Sequence, residues 1–196
     1  MNFQDKLDKI EEVISKEEFL ANKGGANEVG YYVFDYDPGL ELRVRDHINN
    51  LIKKNPLYSQ GYQIILFDLY DLMIDYIEAE DILEDCIYME KEYGLAYLIR
   101  SVIEFLNMGK KENYLTNYIM KNTPDKAVVF ITGVGKIFPF VRSHDILNEL
   151  QQVFDRVPVV LFYPGKYDGQ TLILFSEFKD DHYYRAFPLV ENGRMK

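Results

Sequence analysis

Ala127-Val128-Val129-Phe130-Ile131-Thr132-Gly133-Val134-Gly135 is the stretch that decides the fold. Its first five residues are apolar without alternation. A run of this kind is a strand buried on both faces, as in the middle of a parallel sheet. Gly133 and Gly135 mark its exit. Val157 to Tyr163 repeats the pattern, and Tyr31 to Tyr36 and Gln63 to Asp68 are two further β-prone runs.

Helical periodicity fills the intervals. Residues 3–20 form one amphipathic stripe through Phe3, Leu7, Ile10, Val13 and Ile14. Asn22 to Asn27 is a loop. Asp37-Pro38 reads as N-cap and first helical residue, and Val44, Ile48, Leu51 and Ile52 give that helix a buried face before Asn55-Pro56 ends it. A helical stretch starts near Leu69. Leu95, Leu98, Ile99, Val102, Ile103 and Leu106 mark a buried helix closed by Gly109, and a shorter one runs through Tyr114, Tyr118 and Ile119 to Pro124. Gly133 to Val141 reads as a loop, and Ser143 as the cap of a helix striped by Ile146, Leu147, Leu150, Val153 and Phe154.

After the strand at 157–163 the rhythm changes. Thr171–Phe178 and Tyr183–Val190 are two more strands with short connections, which predicts antiparallel pairing. Strands alternating with helices give an α/β fold: a central, mostly parallel sheet flanked by helices, with a C-terminal antiparallel hairpin extension. No repeat or long linker divides residues 1–196, so one domain is expected.

The chain of 196 residues is long enough to hide roughly 70% of its extended surface. Its net charge of −10 argues against indiscriminate duplex binding, which needs a basic face to displace counterions. A single cysteine, Cys86, excludes a disulfide scaffold and a cysteine-based zinc site, and a buried thiol is its expected state. His47, His144 and His182 are too far apart in sequence for metal-ligand spacing. No apolar run reaches the ~20 residues needed to span a bilayer. Met1 to Ile10 is charged throughout, which speaks against a signal peptide and for a cytoplasmic protein. The 16 Tyr and 13 Phe with no Trp suit either a protein interface or a tyrosine-rich core.

Candidate binding residues gather where the apolar runs end. Gly133-Val134-Gly135 sits where phosphate loops sit, yet it fits neither known fingerprint. Gly135-Lys136 is followed by Ile137 rather than Ser or Thr, Phe130 stands where a Walker loop has Gly, and Phe138 stands where the third dinucleotide Gly belongs. The segment is either a tight strand exit or a set of amides for an anion or partner. Arg142-Ser143-His144-Asp145 opens a helix: Arg142 is able to pair with phosphate or carboxylate, and His144 to titrate near neutrality. Tyr163-Pro164-Gly165-Lys166-Tyr167-Asp168-Gly169 reads as a hairpin loop with two turns, and Tyr163, Lys166, Tyr167 and Asp168 on it suit a recognition rim. In Tyr183-Tyr184-Arg185-Ala186-Phe187, Arg185 shares a face with Tyr183 and Phe187, either paired in the core or lining a groove. Residues 68–92 carry ten acidic side chains against one Lys, either a solvated face or a surface for a basic partner.

Taken in order, these residues resemble the BrxB family of bacteriophage exclusion (BREX) systems. The matching positions are Tyr36-Asp37-Pro38, Thr132 to Gly135, Pro139 to His144, Leu147, Phe162 to Gly169, Leu172, Leu174-Phe175 and Tyr183 to Phe187. Ser176 departs from the pattern, since relatives often carry Gly there. The resemblance implies a cytoplasmic defence protein with no established catalytic activity and no cofactor. It would be encoded beside a PglZ-like protein, a large ATPase and a DNA methyltransferase, and the first two are the leading partner candidates. The expected role is a non-catalytic adaptor. The alternative is a nucleotide- or phosphate-binding enzyme or sensor using Gly133–His144.

Overall fold

A computed structural model of the chain describes residues 1–21, 30–55, 61–110, 113–179 and 185–190. Five of its strands lie side by side: β1 (Tyr31–Tyr36), β2 (Gln63–Asp68), β3 (Ala127–Thr132), β4 (Val159–Tyr167) and, at the end of the chain, β7 (Phe187–Pro188). Their order is β2-β3-β4-β1-β7, and every neighbouring pair is parallel. β5 (Leu172–Leu174) pairs antiparallel with the end of β4, and β6 (Phe178–Lys179) with β5. The fold is therefore α/β, with a parallel sheet and a C-terminal antiparallel extension.

The continuous apolar runs are explained by two cores. In β3 and β4, Val128, Phe130, Val160 and Phe162 point to one side and pack with Phe34, Leu7, Ile10, Ile14 and Ile48. Val129, Ile131, Val159 and Leu161 point to the other side and pack with Ile77, Val102, Leu106, Ile119, Ile146 and Leu150. Strand alternation alone assigns each residue to its layer. The first layer is built by α1 (Phe3–Ile14), followed by the short α2 (Glu17–Leu20), and by α3 (Glu41–Lys54). The second is built by α4 (Leu69–Ala79), α6 (Leu95–Phe105), α7 (Tyr114–Lys121) and α9 (Ser143–Val153). α5 (Leu83–Tyr93) lies against α6 and buries only Cys86, while α8 (Val134–Ile137) is a single turn.

Several local expectations change. Residues 3–20 are two helices, because the Ser15 hydroxyl bonds back to the Glu11 carbonyl at the end of α1 and competes with its continuation. The stretch 133–141 contains α8. Ser143 is the first residue of α9 rather than its cap; the N-cap position is Arg142, which has extended backbone. β4 runs through Pro164 and Gly165 to Tyr167, so only Asp168 to Gln170 turn the chain. Pro164 ends the parallel pairing, opposite Tyr36, without interrupting the strand. The strand expected at 171–178 is broken by a tight turn: Phe175 and Ser176 have φ of 53° and 61°, and the Glu177 N–H donates to the Leu174 carbonyl at 3.0 Å. The last strand does not pair with it but runs parallel beside β1, Tyr32 opposite Phe187. Tyr183, Tyr184 and His182 lie outside the described residues, as does the loop at 22–27. Leu95 is 51% exposed, so the buried face of α6 begins at Leu98. Among the described residues no helix is long and apolar enough to cross a membrane.

Candidate functional site at the carboxyl ends of the parallel strands

The chain leaves β1 for the far edge of the sheet, while β4, its neighbour, leads into the β5–β6 extension. Such a divergence opens a crevice outside the carboxyl ends of a parallel sheet, where α/β proteins place their sites. Three cavities open at this end. One of about 200 Å3 is lined by Tyr36, Glu41, Arg45, Gly135, Pro164 and Phe175. One of about 480 Å3 is lined by Phe138, Arg142, Ser143, Tyr163, Leu174 and Phe178. One of about 500 Å3 includes Lys6, Asp35, Lys166, Tyr167 and Asp168.

Asp68 organises the centre. It ends β2 and caps α4, its Oδ1 accepting from the Tyr70 and Asp71 N–H groups at 3.1 and 3.2 Å. Its Oδ2 accepts from the Thr132 hydroxyl at 3.2 Å and lies 2.7 Å from the Lys136 ammonium. Lys136 also reaches Asp71 at 2.9 Å and lies 5.5 Å from the centre of the Tyr70 ring. Burial works against its charge, but the hydrogen bonds to Asp68 and Asp71 outweigh it and raise its pKa. Gly133 is required here twice over. Its φ is 79°, and a Cβ on it would lie 2.2 Å from Asp68 Oδ1. The residue most central to this exit, Asp68, is one that the sequence reading placed at the end of a strand and among the acids, without a role in a site. Its signal was available: an Asp directly between an apolar strand and a helix is a capping position.

Gly135 faces the β5–β6 turn. A Cβ there would lie 2.9 Å from the Phe175 ring and 3.2 Å from Pro164. Phe175 thus places its ring in the crevice from a left-handed backbone. On the cavity's other wall the Tyr36 hydroxyl donates to Glu41 at 2.5 Å, and Glu41 accepts from Arg45 at 2.7 Å. Gly165 fits for a different reason: a Cβ would meet the Ile173 carbonyl oxygen at 2.1 Å, so β5 approaches closely only because glycine is there.

The remaining candidates separate. Arg142 is exposed at the lip of the 480 Å3 cavity, and Tyr163 forms its floor at 1% exposure. His144 is half-buried with Nε2 2.9 Å from Asp145. Lys166 is exposed beside the 500 Å3 cavity. Tyr167 is buried: its hydroxyl donates to the Ala186 carbonyl at 2.6 Å and its N–H to Asp35 at 3.2 Å. The tyrosines expected on a recognition rim therefore face inward, because β4 continues as a buried strand where a loop was expected. Asp168 holds the turn by accepting from the Gln170 and Thr171 N–H groups at 2.8 and 2.7 Å, and the Thr171 bonds first, then that from Gln170, hold its carboxyl below the usual range. Arg185 is exposed, and its carbonyl accepts from Gln151 at 2.8 Å. A contact invisible in the sequence ties α1 to this end: Lys6 donates to the Asp35 carboxylate and carbonyl, both at 2.6 Å, over the face of Phe34. Among the described residues, no group of three or more His, Cys, Asp or Glu is placed to hold a metal.

A family profile described as BREX protein BrxB matches residues 65–189. The chain belongs to the BrxB family. A BREX protein BrxB from Bacillus cereus (strain H3081.97) is 41% identical to it over 187 residues, covering 95% of this chain and 97% of the relative. A BREX protein BrxB from Escherichia coli O9:H4 (strain HS) is 30% identical over 185 residues, covering 94% and 90%. No solved structure matches the chain. The BrxB match takes in Asp68, the Gly133–Lys136 exit, Arg142 and the β4–β6 extension, while the Tyr36–Glu41–Arg45 wall of the crevice precedes it.

Proposed function

We propose that this BrxB-family chain is a non-catalytic adaptor of a BREX anti-phage defence assembly, acting in the cytoplasm and binding the PglZ-like protein or the large ATPase. Membership of the family supports the setting. The observation that carries the adaptor role is the crevice itself: the chain's own Phe175 ring lines its centre, where the cavity is only about 200 Å3, and its lysine is bonded to two carboxylates. Gly133 and Gly135 are then residues of shape. Arg142, Lys166 and Arg185 remain exposed for contact with a partner at this end.

A second reading, an anion or nucleotide held at Gly133–His144, draws on the 480 Å3 cavity, where Arg142 and Ser143 at the start of α9 lie on one wall. One experiment separates the two. The tagged chain is purified from cells carrying the full operon and assayed with ATP, GTP and magnesium. Co-purification of the PglZ-like protein or the ATPase, with phosphate release by the isolated chain at background, is the expected result. Turnover by the isolated chain that disappears in Lys136→Ala, or nucleotide binding that disappears in Arg142→Ala, would establish the second reading instead.

A further inference from the structure

Among the described residues, the α5–α6 hairpin leaves a surface that no other part of the fold covers. Gly94, with φ of 80°, is the single residue between the helices. α5 buries only Cys86, and α6 buries Leu98 and Val102. Leu83, Ile87, Tyr88, Tyr93, Leu95 and Tyr97 stay between 41% and 59% exposed. Their exposure is not scattered. Leu83 and Ile87 are one helical turn apart, the Tyr88 and Tyr93 rings meet edge to face at 6.1 Å, and the Tyr93 and Tyr97 rings lie 4.8 Å apart. Rings that already rest on one another lose less freedom when a partner covers them, and clustered tyrosines are the anchors that interfaces favour. A cluster of exposed rings of this kind, with exposed aliphatic side chains on the same two helices, marks a contact site.

The charge around it selects the occupant. Glu80, Asp81, Glu84, Asp85, Glu90 and Glu92 are all exposed on and beside α5, with Lys91 the only cation among residues 80–92. Among the described residues none of these six carboxylates forms an ion pair. A second copy of the chain would bring the same acidic rim against itself, on a molecule already at −10. Nucleic acid and anionic membranes meet the same repulsion. A segment bearing arginine or lysine meets none of it: the alkyl stems and guanidinium planes lie well on tyrosine faces while the charges reach the carboxylates.

We infer that the α5–α6 face is the docking surface for a basic, arginine- or lysine-bearing segment of another BREX protein. This rests on the adaptor reading and adds to it the surface and the partner's chemistry. The strand-end residues Arg142, Lys166 and Arg185 are cations and suit a different, acidic contact, so a chain that bridges two components has one face of each sign.

The test uses the full chain with the partner captured from the complete operon. Affinity is measured over a salt series for wild type, Tyr93→Ala, the pair Glu84→Lys with Glu90→Lys, and Arg142→Ala. All these side chains are exposed, so melting temperatures should match wild type. Tyr93→Ala should weaken the complex at least tenfold. The charge-reversed pair should weaken it at least as much and flatten the salt dependence. Crosslinks from residues 83–97 should map to an Arg- or Lys-bearing segment. If the wild type captures a BREX protein and both α5 variants bind it unchanged, the surface is wrong and the adaptor reading stands. If the wild type captures no BREX protein, both fall. If the variants instead abolish self-association of the isolated chain, the face pairs with its own copy and the inference is overturned.

Discussion

At the carboxyl ends of β1, β2 and β3, polar groups answer one another inside the molecule: Asp68 with Lys136, Thr132 and the first turn of α4, and Tyr36 with Glu41 and Arg45. On α5 and α6 the opposite holds. Large apolar side chains and carboxylates lie side by side in water, and α5 itself sends only Cys86 into the core. Burial and pairing at the strand ends make that region costly to alter. Exposure on the hairpin makes it cheap to alter and free to receive a partner. The strand ends thus offer exposed cations only at their lip, whereas the hairpin offers a whole apolar and acidic face, and the contrast is open to direct attack.

The largest effect is expected at Gly133. A β-branched residue there must adopt a left-handed backbone, at about 1–3 kcal/mol, and push aside the carboxylate that caps α4, at about 0.5–2 kcal/mol more. Gly133→Val should therefore lose about 3 kcal/mol and drop Tm by at least ~6 °C. Ile87→Ser on the hairpin should stay within about 0.5 kcal/mol of wild type. Equal melting of the two variants would erase the distinction between the regions.

Lys136→Ala comes next. Its ion pairs with Asp68 and Asp71 are partly exposed, so solvent screens them and about 1 kcal/mol is expected. Denaturant titration should show a shifted midpoint with an unchanged slope. A neutral or stabilising result would mean that the lysine is held ready for something else.

Ser176→Gly runs the other way. A non-glycine residue at φ of 61° costs about 1–2 kcal/mol, and glycine gives back about 0.5–1 kcal/mol through unfolded-chain entropy. A net gain of about 0.5–1 kcal/mol should appear as a small rise in Tm, while loss of stability would mean that the Ser176 hydroxyl is needed in the turn.

The smallest effect belongs to Asp168, whose N–H bonds from Thr171 and Gln170 lower its pKa. A carboxylate lowered on folding stabilises fully above the ordinary Asp range and loses that contribution as pH falls through the folded value. Asp168→Asn should lower Tm slightly at neutral pH and converge with wild type in acid, so that its Tm series is flatter on the acid side. An unchanged acid slope would show that the turn does not depend on the charge.

Much of this was legible in the sequence. β1, β2 and β3 fall where the apolar runs place them: β3 is buried on both faces along an unbroken run, and β1 and β2 are short β-prone runs that end at Asp37-Pro38 and at the helix cap Asp68. The failures concentrate where local chemistry and tertiary contact disagree. Pro164-Gly165 has the composition of a turn, yet Gly165 serves to admit the Ile173 carbonyl and the strand continues, which carries Tyr163 and Tyr167 into the core. The tight turn at Phe175-Ser176 uses residues that ordinarily avoid positive φ, so nothing local announced it. The pairings of Lys6 with Asp35 and of Lys136 with Asp68 join residues far apart in the chain, beyond the reach of any spacing rule. The α5–α6 surface was half visible: its acidity could be counted, but whether its tyrosines faced water or core depended on how the hairpin sits.

Hydrogen–deuterium exchange of the chain, alone and bound to the BREX protein it captures, tests the central claim most directly. The account predicts slowed exchange on binding across residues 83–97, with the Gly133–Lys136 exit unchanged. Slowed exchange at Gly133–Lys136 with residues 83–97 unaffected would contradict it.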